Sequence, residues 1–365
     1  MGSGKLSAIA FIAIILGAVG AGVGGYAAVV MLTGGADGDD GDDGDDGAAG
    51  TTTTINKIEG TYPCASEAEI NNAITAIGTG FGKILITKNI TISATIDVDG
   101  GGSYIIEGVG LPTIESGGNF RVFYITDADS CIIRDLILDG SAITGGLSII
   151  YIDEIIDNPI LIDNVRILNG PSSIGINIYS NDVTVKNSII IGAIRAISLL
   201  TVDDTKIYNN EILDCSMNGI YMNDGDNGLI YNNYIDVMYG DYGIYFLESD
   251  VNVFSYNIIK NFDYEGIYID TGSAYNDIIG NQISDSASYS YGANRTCILI
   301  QGDDNEVIDN SCINCKNSAG SNYGHGIYLT SSAVSNNIVG NNLIDNDISL
   351  CNLGISNTVY GNNAP

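Results

Sequence analysis

The sequence predicts an all-β solenoid of about ten parallel coils, closed at its front by one short helix and preceded by a single transmembrane helix. Three observations predict it. A four-residue strand motif returns every 21 to 31 residues, one Asn recurs about a dozen residues after each return, and residues 6–32 carry no charge.

The uncharged run, LSAIAFIAIILGAVGAGVGGYAAVVML, is 27 residues long and would reach about 40 Å as a helix, enough to cross a bilayer. Lys5 precedes it and seven Asp follow it between residues 37 and 46, so the bias of cations to the cytoplasmic side puts the N-terminus inside and the bulk of the chain outside. Residues 1–33 are therefore expected to be a membrane anchor, a transmembrane helix or an uncleaved signal. The Gly/Asp-rich stretch 34–54 reads as a flexible, self-repelling stalk. Residues 55–365 are the solenoid domain.

At its front, Ser66 and Glu69 form a capping box. Ile70, Ala73, Ile74 and Ile77 then share one helical face, and Gly78 and Gly80 end the helix. Such a helix would cover the open end of the first coil.

The strand motif reads GINI (175–178), AISL (196–199), GIYM (219–222), GIYF (243–246), GIYI (266–269), CILI (297–300), GIYL (326–329) and DISL (347–350). Each period is rich in Ile, Val, Gly and Asn, and none holds an amphipathic helix, so every coil is all strand. Alternation directs Ile220 and Met222 inward and Gly219 and Tyr221 outward. The recurring Asn, at 164, 187, 209, 232, 257, 281, 310, 341 and 362 with Asp135 in the same slot, shares parity with inward Ile. It is expected to be a buried amide ladder, because stacked identical amides satisfy one another. These motifs, with SEAEINNAITAIGTGFGKILITKNITISATIDV (66–98), resemble the right-handed parallel β-helix superfamily of pectate lyases, polygalacturonases and NosD-like repeat proteins. The layout of anchor, Asp/Gly stalk and Asn-rich repeats looks like archaeal surface proteins of that class.

Composition bounds the partners. With 44 acids against 13 Lys and Arg the formal charge is −31, which excludes a nucleic-acid partner, and one His argues against a dedicated zinc site. Outward Tyr221, Tyr245, Tyr268 and Tyr328, with Leu299 in the same slot, would form a column that either packs or holds sugar rings. Tyr289, Tyr291 and Tyr323 lie in two longer loops and extend the candidate sugar-binding set. Asp241, Glu265, Arg295 and His325 lie just before successive strands and form a candidate acid–base constellation on a polysaccharide. Asp224, Glu248, Asp270 and Asp303 follow successive strands; resemblance to pectate lyases implies a possible calcium site there, and spread solvent-facing acids are the alternative. QGDD (301–304) and GHG (324–326) echo polygalacturonases, but alignment of CILI with GIYL sets Arg295 and Thr296 over Gly324 and His325 and leaves the Asp pair off register. Cys64, Cys131, Cys215, Cys297, Cys312, Cys315 and Cys351 read mostly as core fillers, with bridges allowed outside the cell. The expected function is a membrane-anchored, cell-surface module that binds glycans or surface glycoproteins or plays a structural or adhesive part. It requires no cofactor beyond that possible calcium. The alternative is a polysaccharide lyase or glycoside hydrolase acting near Glu265, Arg295 and His325.

Overall fold

A computed structural model describes residues 60–153, 158–170, 172–238, 240–285, 295–316 and 324–364. The predicted anchor and stalk, and Tyr289, Tyr291 and Tyr323, lie outside the described residues. Among the described residues no helix is long and apolar enough to cross a membrane.

The helix forms over Glu67–Ile77 and buries Ile70, Ala73, Ile74 and Ile77, the face read from the sequence. Ser66 Oγ accepts from the Glu69 N–H at 3.4 Å, and the Glu69 carboxylate reaches back to the Ala65 N–H at 2.6 Å. Gly78 stops the helix with φ of 49°, a conformation that glycine enters without a Cβ penalty.

Behind it the chain winds about 12 turns of parallel β-solenoid. A typical turn spends three short strands, such as Asn218–Asn223, Leu229–Tyr231 and Tyr234–Asp236. The first of these belongs to an 11-stranded sheet and the other two to a 22-stranded one. The count exceeds ten because the early rungs Ile96–Val98, Phe123–Ile125 and Ser148–Ile152 lack the GIY signature yet join the 11-stranded sheet. Register is strict: Ile220, Ile244, Ile267, Ile298, Ile327 and Leu350 stack directly. The five isoleucines are buried in one core running the length of the coil.

The amide ladder exists, but its first members are displaced by one residue. Asn210, Asn233, Asn257, Asn281, Asn310, Asn341 and Asn362 form it. Asn257 Oδ1 accepts the Asn233 N–H at 3.1 Å and its Nδ2 at 3.0 Å, while Asn257 Nδ2 donates to the Ile230 carbonyl at 2.9 Å. Asn164, Asn187, Asn209 and Asn232 are instead exposed and left-handed, with φ of 51° to 56°. They occupy the bend just before the ladder, where Asn tolerates positive φ. In later turns Tyr256, Gly280, Asp309, Gly340 and Gly361 take that bend, so there the recurring Asn is the ladder residue. A second ladder, Asn252, Asn276, Asn305, Asn336 and Asn357, runs five residues upstream of the first and was not foreseen.

Gly219 corrects a second expectation. It faces inward: a Cβ there would lie 2.5 Å from Ile235 Cγ2, and at Gly243 and Gly266 the same distance to Ile259 and Ile283 is 2.3 Å. The strand ladder skips these glycines, pairing Asn218 with Tyr242 and Ile220 with Ile244. Cys297 occupies the slot one turn on and joins Cys315 in a disulfide; Cys64, Cys131, Cys215 and Cys312 are buried free thiols and Cys351 is half-buried.

Asn233→Ala strips four hydrogen bonds from a buried site and is expected to lower stability by about 1–3 kcal/mol, whereas Asn232→Gly, at a bend that glycine suits, is expected to stay within about 0.5 kcal/mol. Urea midpoints of the two variants check this, and equal losses would refute the two-slot assignment.

Candidate functional site

The outer surface of the 11-stranded sheet carries columns of side chains, one residue per turn. The tyrosine column runs Asp97, Tyr124, Tyr151, Asn177, Ser198, Tyr221, Tyr245, Tyr268, Leu299, Tyr328 and Cys351. Tyr221, Tyr245, Tyr268 and Tyr328 share the position read from the sequence, and Tyr124 and Tyr151 extend it. Tyr245 and Tyr268 stack with centroids 4.6 Å apart and planes 8° apart; Tyr221 lies 5.6 Å from Tyr245. The stacking uses the ring faces on one another. The column therefore presents ring edges and hydroxyls outward rather than open aromatic faces.

A second outward column stands three residues earlier. It runs Ser148, Ile174, Arg195, Asn218, Tyr242, Glu265, Thr296, His325 and Ile348. The inward glycine between the columns lets both face out. The Arg195 guanidinium lies 3.9 Å from the Tyr221 centroid, Tyr242 packs edge-on to Tyr245 at 4.8 Å, and His325 stacks on Tyr328 at 4.8 Å. Near the front, Arg121 covers Tyr151 in the same manner at 4.3 Å.

The four candidate acid–base residues do not share one slot. Glu265 and His325 belong to the second column, with Thr296 between them. Asp241 and Arg295 sit one residue earlier, since Tyr242 pairs with Glu265 and Arg295 pairs with Gly324. The sequence reading treated residues one and two before the strand as equivalent; backbone pairing separates them. Glu265 is 7% exposed, Thr296 0%, His325 6% and Arg295 1%. Burial, reinforced by the Asp241 charge, raises the Glu265 carboxyl from 4.5 to about 8. Asp241 is itself raised, by burial and then by Asp263. Burial lowers the His325 imidazole, against the opposing pull of Asp347.

The acids after the strands do not form one column. Asp224 and Glu248 take left-handed bends, with φ of 56° and 49°. Asp270 accepts from the Tyr268 hydroxyl at 3.3 Å, and Asp303 accepts the Val334 N–H at 2.8 Å. Counted from the stacked Met222, Phe246, Ile269 and Ile300, Asp224 and Glu248 lie two residues on, Asp270 one and Asp303 three, and among the described residues no group of three His, Cys, Asp or Glu comes together to hold a metal. Arg295 does stack over Gly324 and Thr296 over His325, so the polygalacturonase-like Asp pair stays off register.

Residues 121–283 match the family described as right handed beta helix region. No curated protein matches the sequence. Among solved structures, the chain is similar to the A-module of the Azotobacter vinelandii mannuronan C-5 epimerase AlgE6, at 16% identity and a TM-score of 0.55, covering 82% of this chain and 94% of that one. It is also similar to the Dettilon tailspike protein, at 14% identity and 0.56, covering 79% and 64%, and to the enzymatically active domain of bacteriophage CBA120 tailspike protein 2, at 15% and 0.58, covering 77% and 48%. The chain thus spans under two thirds of either tailspike. At such identities the likeness establishes the right-handed parallel β-helix and nothing finer.

Tyr242, Thr296, Arg121 and Arg195 were not singled out from the sequence. The signal for the first two was their place immediately before the Gly or Cys that opens each strand motif.

A buried carboxyl that titrates near 8 when folded and near 4.5 when unfolded binds its proton more tightly in the native state. Its contribution is therefore expected to fall as pH rises between those two values. Glu265→Gln is expected to flatten that slope in urea midpoints measured at both ends of the window.

Proposed function

We propose that the chain is a membrane-anchored, cell-surface module that binds glycans along the outer face of its 11-stranded sheet. The observation that carries this reading is the registered column of tyrosine edges beside a second polar column. Sugars offer many hydroxyls at a repeating spacing, and a rigid sheet offers hydrogen-bonding groups repeating every ~4.8 Å. Tyr268 shows the chemistry available, since its hydroxyl, with one proton to share between Gln301 Oε1 at 3.0 Å and Asp270 Oδ1 at 3.3 Å, keeps lone pairs that accept from a sugar hydroxyl. The fold supports it too, because a protein it resembles is named for a polysaccharide, mannuronan. Residues 6–32 hold the chain in the membrane, with the N-terminus inside and the solenoid outside. No cofactor is needed, so retention on glycans is the same with calcium or with a chelator.

Because the ring faces are occupied by neighbours, the hydroxyls do the binding. Tyr245→Phe is expected to weaken retention on a glycan array about three- to tenfold, the worth of one hydrogen bond. An unchanged Tyr245→Phe together with a weakened Tyr245→Ala would show sugar stacking instead. The full chain is expected in the membrane fraction and resistant to alkaline extraction, and deletion of 6–32 is expected to release it; a soluble full chain would remove the anchor.

A further inference from the structure

The 22-stranded sheet has an outer surface of its own, and two turns of it break the pattern of the others. Two left-handed bends flank the middle strand of a turn, as Asn227 and Asn232 flank Leu229–Tyr231. From Asp182 to Gly361 these bends hold Asn, Asp, Ser or Gly in every turn but two. The exceptions are Val251 and Tyr275 in the first bend and Tyr256 in the second, with φ of 56° to 58°. That conformation is least tolerable to a β-branched or bulky residue. Nor do these side chains gain by burial: Val251 is 51% exposed, Tyr275 61% and Tyr256 63%.

The three exceptions share one face. Val251 and Tyr275 stand two residues before Val253 and Asp277, which pair directly, and Tyr256 leans over Gly280, where a Cβ would lie 2.7 Å from its Cε1. Between the bends, Leu229 stands beside Val253, and Ile279 one turn on completes an apolar patch over three adjacent turns. An acid wall closes its far side. The following turn carries Asp304 and Asp309 in its two bends and Glu306 on its strand, all exposed, and Glu306 pairs directly with Asp277. Like charges opposed across a ladder repel. Burial, and then the Glu306 charge, raise the Asp277 carboxyl. Among the described residues none of these four acids forms an ion pair with a cation.

We propose that this face is a docking surface for a basic protein segment, which sets apolar or aromatic side chains on Val251, Tyr256 and Tyr275 and Lys or Arg against Asp277, Asp304, Glu306 and Asp309. An apolar, aromatic centre beside a charged rim is the anatomy of a protein contact. The acid wall selects the sign of the partner, and the net charge of −31 draws a cationic one in from a distance. A second copy brings the same charge and the same wall, so it is the disfavoured occupant. Docking covers the apolar groups that the three bends hold out to solvent at conformational cost. The surface lies apart from the tyrosine column of the 11-stranded sheet, and the two bind independently.

The test passes the detergent-solubilised full chain over immobilised synthetic peptides of equal Leu and Phe content, with Lys, Ser or Glu in the remaining positions. Retention on the Lys series is expected at least about tenfold above the Ser series and lost in about 0.5 M salt, with none on the Glu series. The triple variant Val251→Asn, Tyr256→Gly, Tyr275→Asn gives these bends the residue types of the other turns. It is expected to lower retention on the Lys series about tenfold or more, with its urea midpoint equal or higher and its glycan retention unchanged. A variant that keeps its retention on Lys peptides, or whose urea midpoint falls, would overturn the proposal. So would equal retention on Lys peptides lacking Leu and Phe, which would reduce the surface to charge alone. A dimer in sedimentation that the triple variant abolishes would make a second copy the occupant, and lost glycan retention would make it a sugar; either result overturns the basic segment.

Discussion

Vertical register is the constraint on which this molecule depends. A strand's side chains alternate faces, so a slip of one residue between turns would exchange core for surface along a whole rung. Hydrophobic pattern resists the slip, but short strands of three to six residues resist it weakly. The amide ladders add a specific lock. Each Asn Oδ1 accepts both the backbone N–H and the side-chain Nδ2 of the Asn one turn before it, as at Asn281 and Asn310, where the contacts are 2.9 Å and 3.0 Å. No other offset gives every buried amide its partners, and an unpartnered one is costly. Two ladders five residues apart pin the chain on both sides of strands such as Asp277–Ile279.

Register then determines the surface. Once Ile220, Ile244 and Ile267 stack inside, Tyr221, Tyr245 and Tyr268 must stack outside. The inward glycine is the device that adds a second outward column, because it takes a core position that any side chain would overfill. Cys297 breaks that rule in its turn. There Cys312 stands where the previous turn has Ile283, a smaller group at the position that a Cβ in the glycine slot would strike, and the 297–315 disulfide fills the space. The disulfide thus ties the first strand of this turn to the segment after its third, 6.0 Å between Cα atoms.

Much of this was legible. The 21- to 31-residue return, the helix face at Ile70, Ala73, Ile74 and Ile77, and the Tyr221–Tyr328 column follow from period and parity, which sequence displays directly. What was illegible depends on backbone detail. Asn209 and Asn210 are adjacent and chemically identical, and only their φ angles show which one bends and which one is buried. Gly219 looks like an outward residue by alternation, yet the ladder skips it. That skip is also why Asp241 and Glu265 seemed equivalent and are not. The second ladder was visible as an Asn five residues before each recognised one, in 252/257, 276/281, 305/310, 336/341 and 357/362, a spacing that only acquires meaning once two bends per turn are known.

Charge narrows what the outer face can hold. The formal charge of −31 repels polyanions at long range. The two arginines of the face are spent on its own tyrosines: Arg195 covers Tyr221 and donates to Asn218 at 3.3 Å, and Arg121 covers Tyr151. Further along, the face turns acidic around Asp241, Asp263 and Glu265, where a further negative group would have to displace a carboxyl that already keeps its proton for want of solvation. A carboxylate-bearing sugar meets repulsion over that stretch, whereas a neutral one meets hydroxyls, amides and one protonated acid. Fold likeness to a mannuronan epimerase at 16% identity therefore carries the coil and not the substrate.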